Sequence, residues 1–104
     1  MRFEPETMKR WRTALMGRGQ VLATLLSEVL AGKTPAAVAA LAGKPGMRPE
    51  EKLRMALDQI DRRRALIDAD DDRFGRCDIC GVDLGAGALG EMPWADRCQA
   101  HAAS

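Results

Sequence analysis

At 104 residues, with 46% apolar but only 4% aromatic residues, the chain has room for one small domain, or a small domain with an arm. A core of that size is marginal alone and gains from a structural metal or a partner. The net charge of +1 hides an asymmetry, since residues 1–67 carry 13 Lys/Arg against 7 Asp/Glu and residues 68–104 carry 3 against 8. Two parts with different faces toward partners are therefore expected. No apolar run approaches the roughly 20 residues that a bilayer span needs. The opening MRFEPETMKRW has no signal-peptide apolar stretch. A cytoplasmic protein without membrane attachment is expected, and an odd count of 3 Cys there argues against a disulfide framework.

From Glu6 to Ala31 the apolar residues Met8, Trp11, Leu15, Leu22, Leu25 and Val29 fall at helical steps, with one position missed at Arg18. Gly32 suits the stop, and Leu26 and Leu30 widen the stripe near it. Such a helix would be about 39 Å long. The connector GKTPAAVAALAGKPG reads as a short helix with Thr34 as N-cap, Pro35 at the first position and Gly43 at the stop. Val38 and Leu41 would pack on the surplus leucines of the first helix.

A second helix is expected after Pro49, with Glu50 and Glu51 favourable at its positive end. Its stripe is Leu53, Leu57, Ile60 and Ile67, and the missed position is Arg64. Two such helices fold back as an antiparallel hairpin, which sets Arg18 near Arg62 to Arg64. Those arginines can snorkel outward, pair with carboxylates such as Asp61, or form an anion contact. The acidic run DADDD, residues 68–72, opposes the helix dipole and ends the helix.

Then come the residues with chemistry. Cys77-x-x-Cys80 is followed, after 17 intervening residues, by Cys98-x-x-His101, and His101 is the only histidine in the chain. Two ligand pairs on two turns are how a small domain builds a tetrahedral zinc cage. The predicted set is therefore Cys77, Cys80, Cys98 and His101 on a structural Zn(II). Gly81 suits the close backbone approach of a knuckle. The Gly-rich spacer implies turns and short strands, with Leu84, Leu89 and Trp94 as a miniature core. A redox Cys-x-x-Cys would need a βαβ setting that is missing here. Four protein ligands close the site, and no nucleophile–base pair or phosphate loop accompanies it, so no enzyme is expected. The spacer also matches GATA-type fingers, but residues 77–104 carry four acidic side chains and only Arg97 on the basic side. Direct sequence-specific DNA binding is not expected.

Taken together, ALIDADDDRFGRCDICGVDL, residues 65–84, resembles the DksA/TraR family of bacterial zinc-finger proteins. The match runs through the helix end, the acidic stretch and aromatic-Gly-x-Cys-x-x-Cys-Gly, then continues at Leu89, Pro93, Ala95-Asp96 and Cys98. The resemblance agrees in architecture with the mainly α fold that the patterns above predict: a long antiparallel coiled-coil hairpin over residues 1–70, with a small tip helix at about 32–49, then a zinc finger over 71–104. It further implies a transcription regulator whose hairpin enters the secondary channel of RNA polymerase. The chain departs from the family at the tip, where an Asp-x-x-Asp-x-Ala motif acts in concert with ppGpp. Residues 32–49 here hold no acidic residue, and Lys33, Lys44 and Arg48 stand there as candidate partner contacts. His101 replaces the usual fourth cysteine, which leaves an ordinary zinc set. A monomer is expected, and the alternative reading is a zinc-stapled helical interaction module for a different protein partner or for self-association.

Overall fold

The computed structural model describes residues 3–101, and it is mainly helical, with no strand among those residues. Helix α1 spans Pro5–Leu30 and helix α2 spans Pro49–Asp68. Each begins with proline in its first turn after an extended residue, Glu4 or Arg48, where the ring's fixed φ fits and its missing N–H is no loss. Acidic residues follow in both first turns, Glu6 in α1 and Glu50 and Glu51 in α2, where they meet the positive end of the dipole.

Both helices end in the same way. After α1, Gly32 takes φ 88° and its N–H bonds the Val29 carbonyl at 3.0 Å, while the Lys33 N–H bonds Glu28 at 2.9 Å. After α2, Asp70 takes φ 57°, its N–H reaches the Ile67 carbonyl at 3.3 Å, and the Asp71 N–H reaches Leu66 at 3.0 Å. These are two Schellman stops, one built on glycine and one on aspartate. The Asp71 carboxylate then accepts from both the Arg73 amide and its guanidinium, which holds the acid down at about 2.

The two long helices pack together along the expected stripes. Met8, Trp11, Leu15 and Leu22 of α1 are buried with Leu53, Ile60 and Ile67 of α2. Early α1 lies against late α2: the Arg12 guanidinium donates to Asp68 at 2.7 Å, and a Cβ added at Gly19 would stand 3.5 Å from Ile60 Cγ2. At the missed positions the outcome differs from expectation. It is Arg63, not Arg64, that turns fully inward at 3% exposure, and its carboxylate is Asp78 rather than Asp61. Arg18 lies over the Trp94 ring, 5.1 Å from its centroid, a cation–π contact.

The connector holds a five-residue 3₁₀ helix, Ala36–Ala40, shorter than the helix expected from Pro35 to Gly43. Pro35 occupies the cap position and Thr34 makes no side-chain cap bond, while Leu41 is already extended, so Gly43 is not the stop. A segment this short gains too few i→i−4 bonds to offset helix nucleation, and the tighter i→i−3 turn serves instead. Val38 is its single buried residue.

Beyond α2 the chain wraps back onto the helices. Phe74, 1% exposed, completes an aromatic cluster with Phe3 and Trp11, whose centroids lie 4.8–6.4 Å apart in edge-on and tilted pairs. The Gly-rich spacer, expected to form short strands, instead forms a six-residue helix α3, Ala86–Glu91, that buries Leu89 completely. The extended pairing there is reduced to one bridge, Arg76 with Asp83. No helix among the described residues is long and apolar enough to cross a membrane.

Candidate metal centre

The first cysteine pair sits on a tight turn whose backbone bonds are local. The Cys77 N–H bonds the Val82 carbonyl at 2.9 Å, the Gly81 N–H bonds the Cys77 carbonyl at 2.9 Å, and the Leu84 N–H closes onto Gly75 at 2.9 Å. Gly75 and Gly81 both take positive φ, 81° and 74°, which L side chains rarely adopt. The second pair lies on the 3₁₀ turn Gln99–His101, where the His101 N–H bonds the Cys98 carbonyl at 3.0 Å. One further bond joins the two turns, from the Asp78 N–H to the Asp96 carbonyl at 2.7 Å.

This geometry brings all four candidate ligands together. The donor atoms of Cys77, Cys80, Cys98 and His101 lie within 4.8 Å of one another. Cys77 Sγ is 3.7 Å from His101 Nδ1, Cys80 Sγ is 3.8 Å from Cys98 Sγ, and Cys98 Sγ is 3.1 Å from His101 Nδ1. A tetrahedral ion with bonds of about 2.3 Å to sulfur and about 2.0–2.1 Å to nitrogen sets neighbouring donors about 3.5–3.8 Å apart. Two of the three separations match that figure. The third, within one 3₁₀ turn, needs to open by a few tenths of an ångström. The four residues therefore fit a metal ion, with Nδ1 as the histidine donor.

The electrostatics favour a cation at the same point. Burial pushes the Cys77 thiol up, but the N–H groups of Cys80, Cys98 and Ile79 aim at its sulfur, and the net result is about 6. Cys80 accepts from the Val82 N–H, which favours its thiolate, yet desolvation and the neighbouring Cys77 and Cys98 sulfurs outweigh that and push it up. Several thiolates this close repel one another unless a divalent cation joins them. None of the three cysteines is in a disulfide.

The fastenings around the centre are residues that sequence periodicity did not single out. Arg63 Nη2 donates to the Asp78 carboxylate at 2.5 Å, and Asp78 is the residue directly after Cys77. Gln59 Nε2 donates to the Asp96 carboxylate at 3.0 Å, two residues before Cys98. Each ligand turn is thus tied to α2 by one side chain, four residues apart on one helical face. The available signal was the acidic residue beside each cysteine pair opposite a helix rich in Arg.

The three candidate tip residues lie away from this centre. Lys33 and Lys44 are exposed, whereas Arg48 is engaged by Glu51 at 2.7 Å and Glu50 at 3.6 Å. Comparison with family models, with curated proteins and with solved structures returned no match.

Proposed function

We propose that the chain is a non-enzymatic transcription regulator that contacts bacterial RNA polymerase through its two long helices, used as an antiparallel coiled-coil hairpin. A structural zinc at Cys77, Cys80, Cys98 and His101 fastens the finger to the hairpin. The observation that carries this reading is the continuity of the segment bearing the resemblance. The end of α2, the acidic turn and the first cysteine pair are joined by the Asp71–Arg73 pair and by Arg63 to Asp78. Zinc is the preferred ion because three thiolates and one imidazole in a closed tetrahedral set are its ordinary structural ligands. With all four positions taken by protein, no site remains for a metal-activated water, which supports a binding role over catalysis.

One geometric feature sharpens the reading. The finger reaches along the helices as far as Arg18 and Gln59, through Trp94 and Asp96. The helical pair that projects beyond it is then about 18 Å on the α1 side, counted from Gly19 to Leu30, rather than the full ~39 Å. A short projection whose connector, residues 32–49, holds no acidic residue favours occupancy of a shallow site over chemistry deep in a channel. That same observation favours the second reading, a zinc-stapled module for another protein partner.

The deciding experiment is binding of the zinc-loaded protein to purified bacterial RNA polymerase, challenged with a known secondary-channel factor. Saturable binding that the competitor displaces is the expected outcome. Binding that the competitor leaves unchanged moves the contact elsewhere on the enzyme, and no binding with zinc confirmed in place leaves the second reading.

A further inference from the structure

A groove of about 380 Å³ opens at the far end of the helical pair, lined by Val29, Pro35, Val38, Ala39, Met47 and Lys52, with Thr34, Ala36 and Pro49 completing it. We infer that this groove is a docking site for an acidic protein segment, one that inserts an apolar side chain and presents carboxylates to the surrounding lysines. The inference deepens the tip-contact reading above and rests on the helices presenting this end to a partner, but not on that partner being RNA polymerase.

The lining decides the apolar half. Aliphatic carbons and one thioether form most of the wall, and Leu30, 61% exposed, extends apolar surface at the end of α1. The wall is also built rather than loose. A Cβ at Gly43 would stand 3.1 Å from both Cγ and Cε of Lys52 and 3.2 Å from the Met47 sulfur. The connector backbone therefore lies directly on those two side chains. The Lys44 amide donates to the same sulfur at 3.1 Å, fixing Met47 against the connector.

The charges decide the acidic half. Lys52 stands in the wall, Lys33 precedes the lining residue Thr34, and Lys44 holds Met47. No Asp or Glu lines the groove, and residues 32–49 contain none. The carboxylates at the start of α2, Glu50 and Glu51, are paired with Arg48, and Glu28 is the one acidic residue beside a lining residue on α1, next to Val29 in sequence. Complementary charge at the rim of an apolar patch steers encounter and selects the partner's sign. A nucleic acid would satisfy the lysines but leave the aliphatic wall in water, with no aromatic residue there to stack on a base.

The test uses the full zinc-loaded chain and a labelled helical peptide with leucines on one face and glutamates elsewhere. The controls are the same peptide with lysines for glutamates and a single-stranded oligonucleotide. Saturable binding of the Leu/Glu peptide alone is expected, weakened about tenfold by the Lys33→Glu/Lys44→Glu pair and abolished by Ala39→Glu in the wall. Zinc content and helicity should be unchanged in both variants. Absence of peptide binding, equal binding of the lysine peptide, preference for the oligonucleotide, or indifference to Ala39→Glu would each overturn the inference. Since polymerase is absent from this assay, its outcome is independent of whether polymerase is the partner.

Discussion

The helical pair and the Cys/His segment are held together by different physics. In α1 and α2, apolar side chains at helical spacing meet across one seam, and Leu15, Leu22, Leu53, Ile60 and Ile67 are at most 2% exposed. That seam is sequence-local in its causes, because each helix brings its own stripe, its own first-turn acids and its own stop. Among the described residues from 71 to 101 only Phe74, Cys77 and Leu89 are buried hydrophobic core residues, and the regular structure there is one six-residue helix and one 3₁₀ turn. So little buried area cannot offset the entropy of ordering about thirty residues. A helix pair can be specified by pattern, whereas this segment relies on a few polar ties to α2 and on the four clustered residues that could hold a metal ion.

Metal removal should separate the two regions most strongly. Structural zinc in small fingers contributes on the order of 10 kcal/mol to folding, so chelation should unfold the Cys/His segment while α1 and α2 stay largely helical. Far-UV circular dichroism should fall by a minor fraction, while Trp94, held under Arg18, reports a large fluorescence change. Collapse of the whole helical signal on chelation would show that the helices do not stand alone. Two core substitutions sharpen the division. Leu53→Ala should cost about 2–5 kcal/mol in both metal-bound and metal-free protein, since its cavity lies in the seam. Leu89→Ala should register only while the metal is bound, as a weaker hold on zinc in a competition with a chelating dye.

The sequence carried the helical pair well and the ties between the regions poorly. The proline start at Pro49, the glycine stop at Gly32 and the apolar stripes are local signals, and each has a direct counterpart in the fold. The four residues singled out as ligands lie together because their spacing encodes two turns. Three other features depended on information that no local pattern holds. Whether Arg63 or Arg64 faces inward is settled by where Asp78 arrives from fifteen residues away. Arg18 interrupts the stripe because Trp94 covers it. The spacer forms helix α3 rather than strands because burial of Leu89 decides the outcome over the low helix propensity of its glycines.

The Arg63–Asp78 tie predicts an asymmetry of about 3 kcal/mol or less. Arg63 is buried with Nε and Nη1 lacking any partner among the described residues, while the Asp78 side chain keeps 34% exposure. Removing the acid by Asp78→Ala strands a buried guanidinium and should cost up to about 3 kcal/mol at saturating zinc. Replacing the base by Arg63→Met keeps the stem's packing and leaves the carboxylate near water, so it should cost clearly less. Adding Arg63→Met to Asp78→Ala should then recover stability in urea titrations. Equal losses from the two single variants would mean that the tie matters for position and not for charge.

The smallest expected effect lies at the junction of the two regions. Asp70 holds the left-handed position that ends α2, at φ 57°, the same place that Gly32 fills after α1. A side chain pays about 1 kcal/mol or more there unless it bonds locally, and Asp is among the residues that tolerate it best. Glycine removes that strain but adds freedom to the unfolded chain, which returns part of the gain. Asp70→Gly should therefore stabilise the protein by about 0.5–1 kcal/mol, a rise of a few degrees in melting temperature. Because Asp70 also borders the depression beside Phe3, Met8 and Arg12, the sign of the change is informative. A gain means that the two helices differ only in the quality of their stops. A loss means that the Asp70 carboxylate takes part in joining α1 to the turn that leads into the metal centre, and that the acidic run is a fastening as well as a terminator.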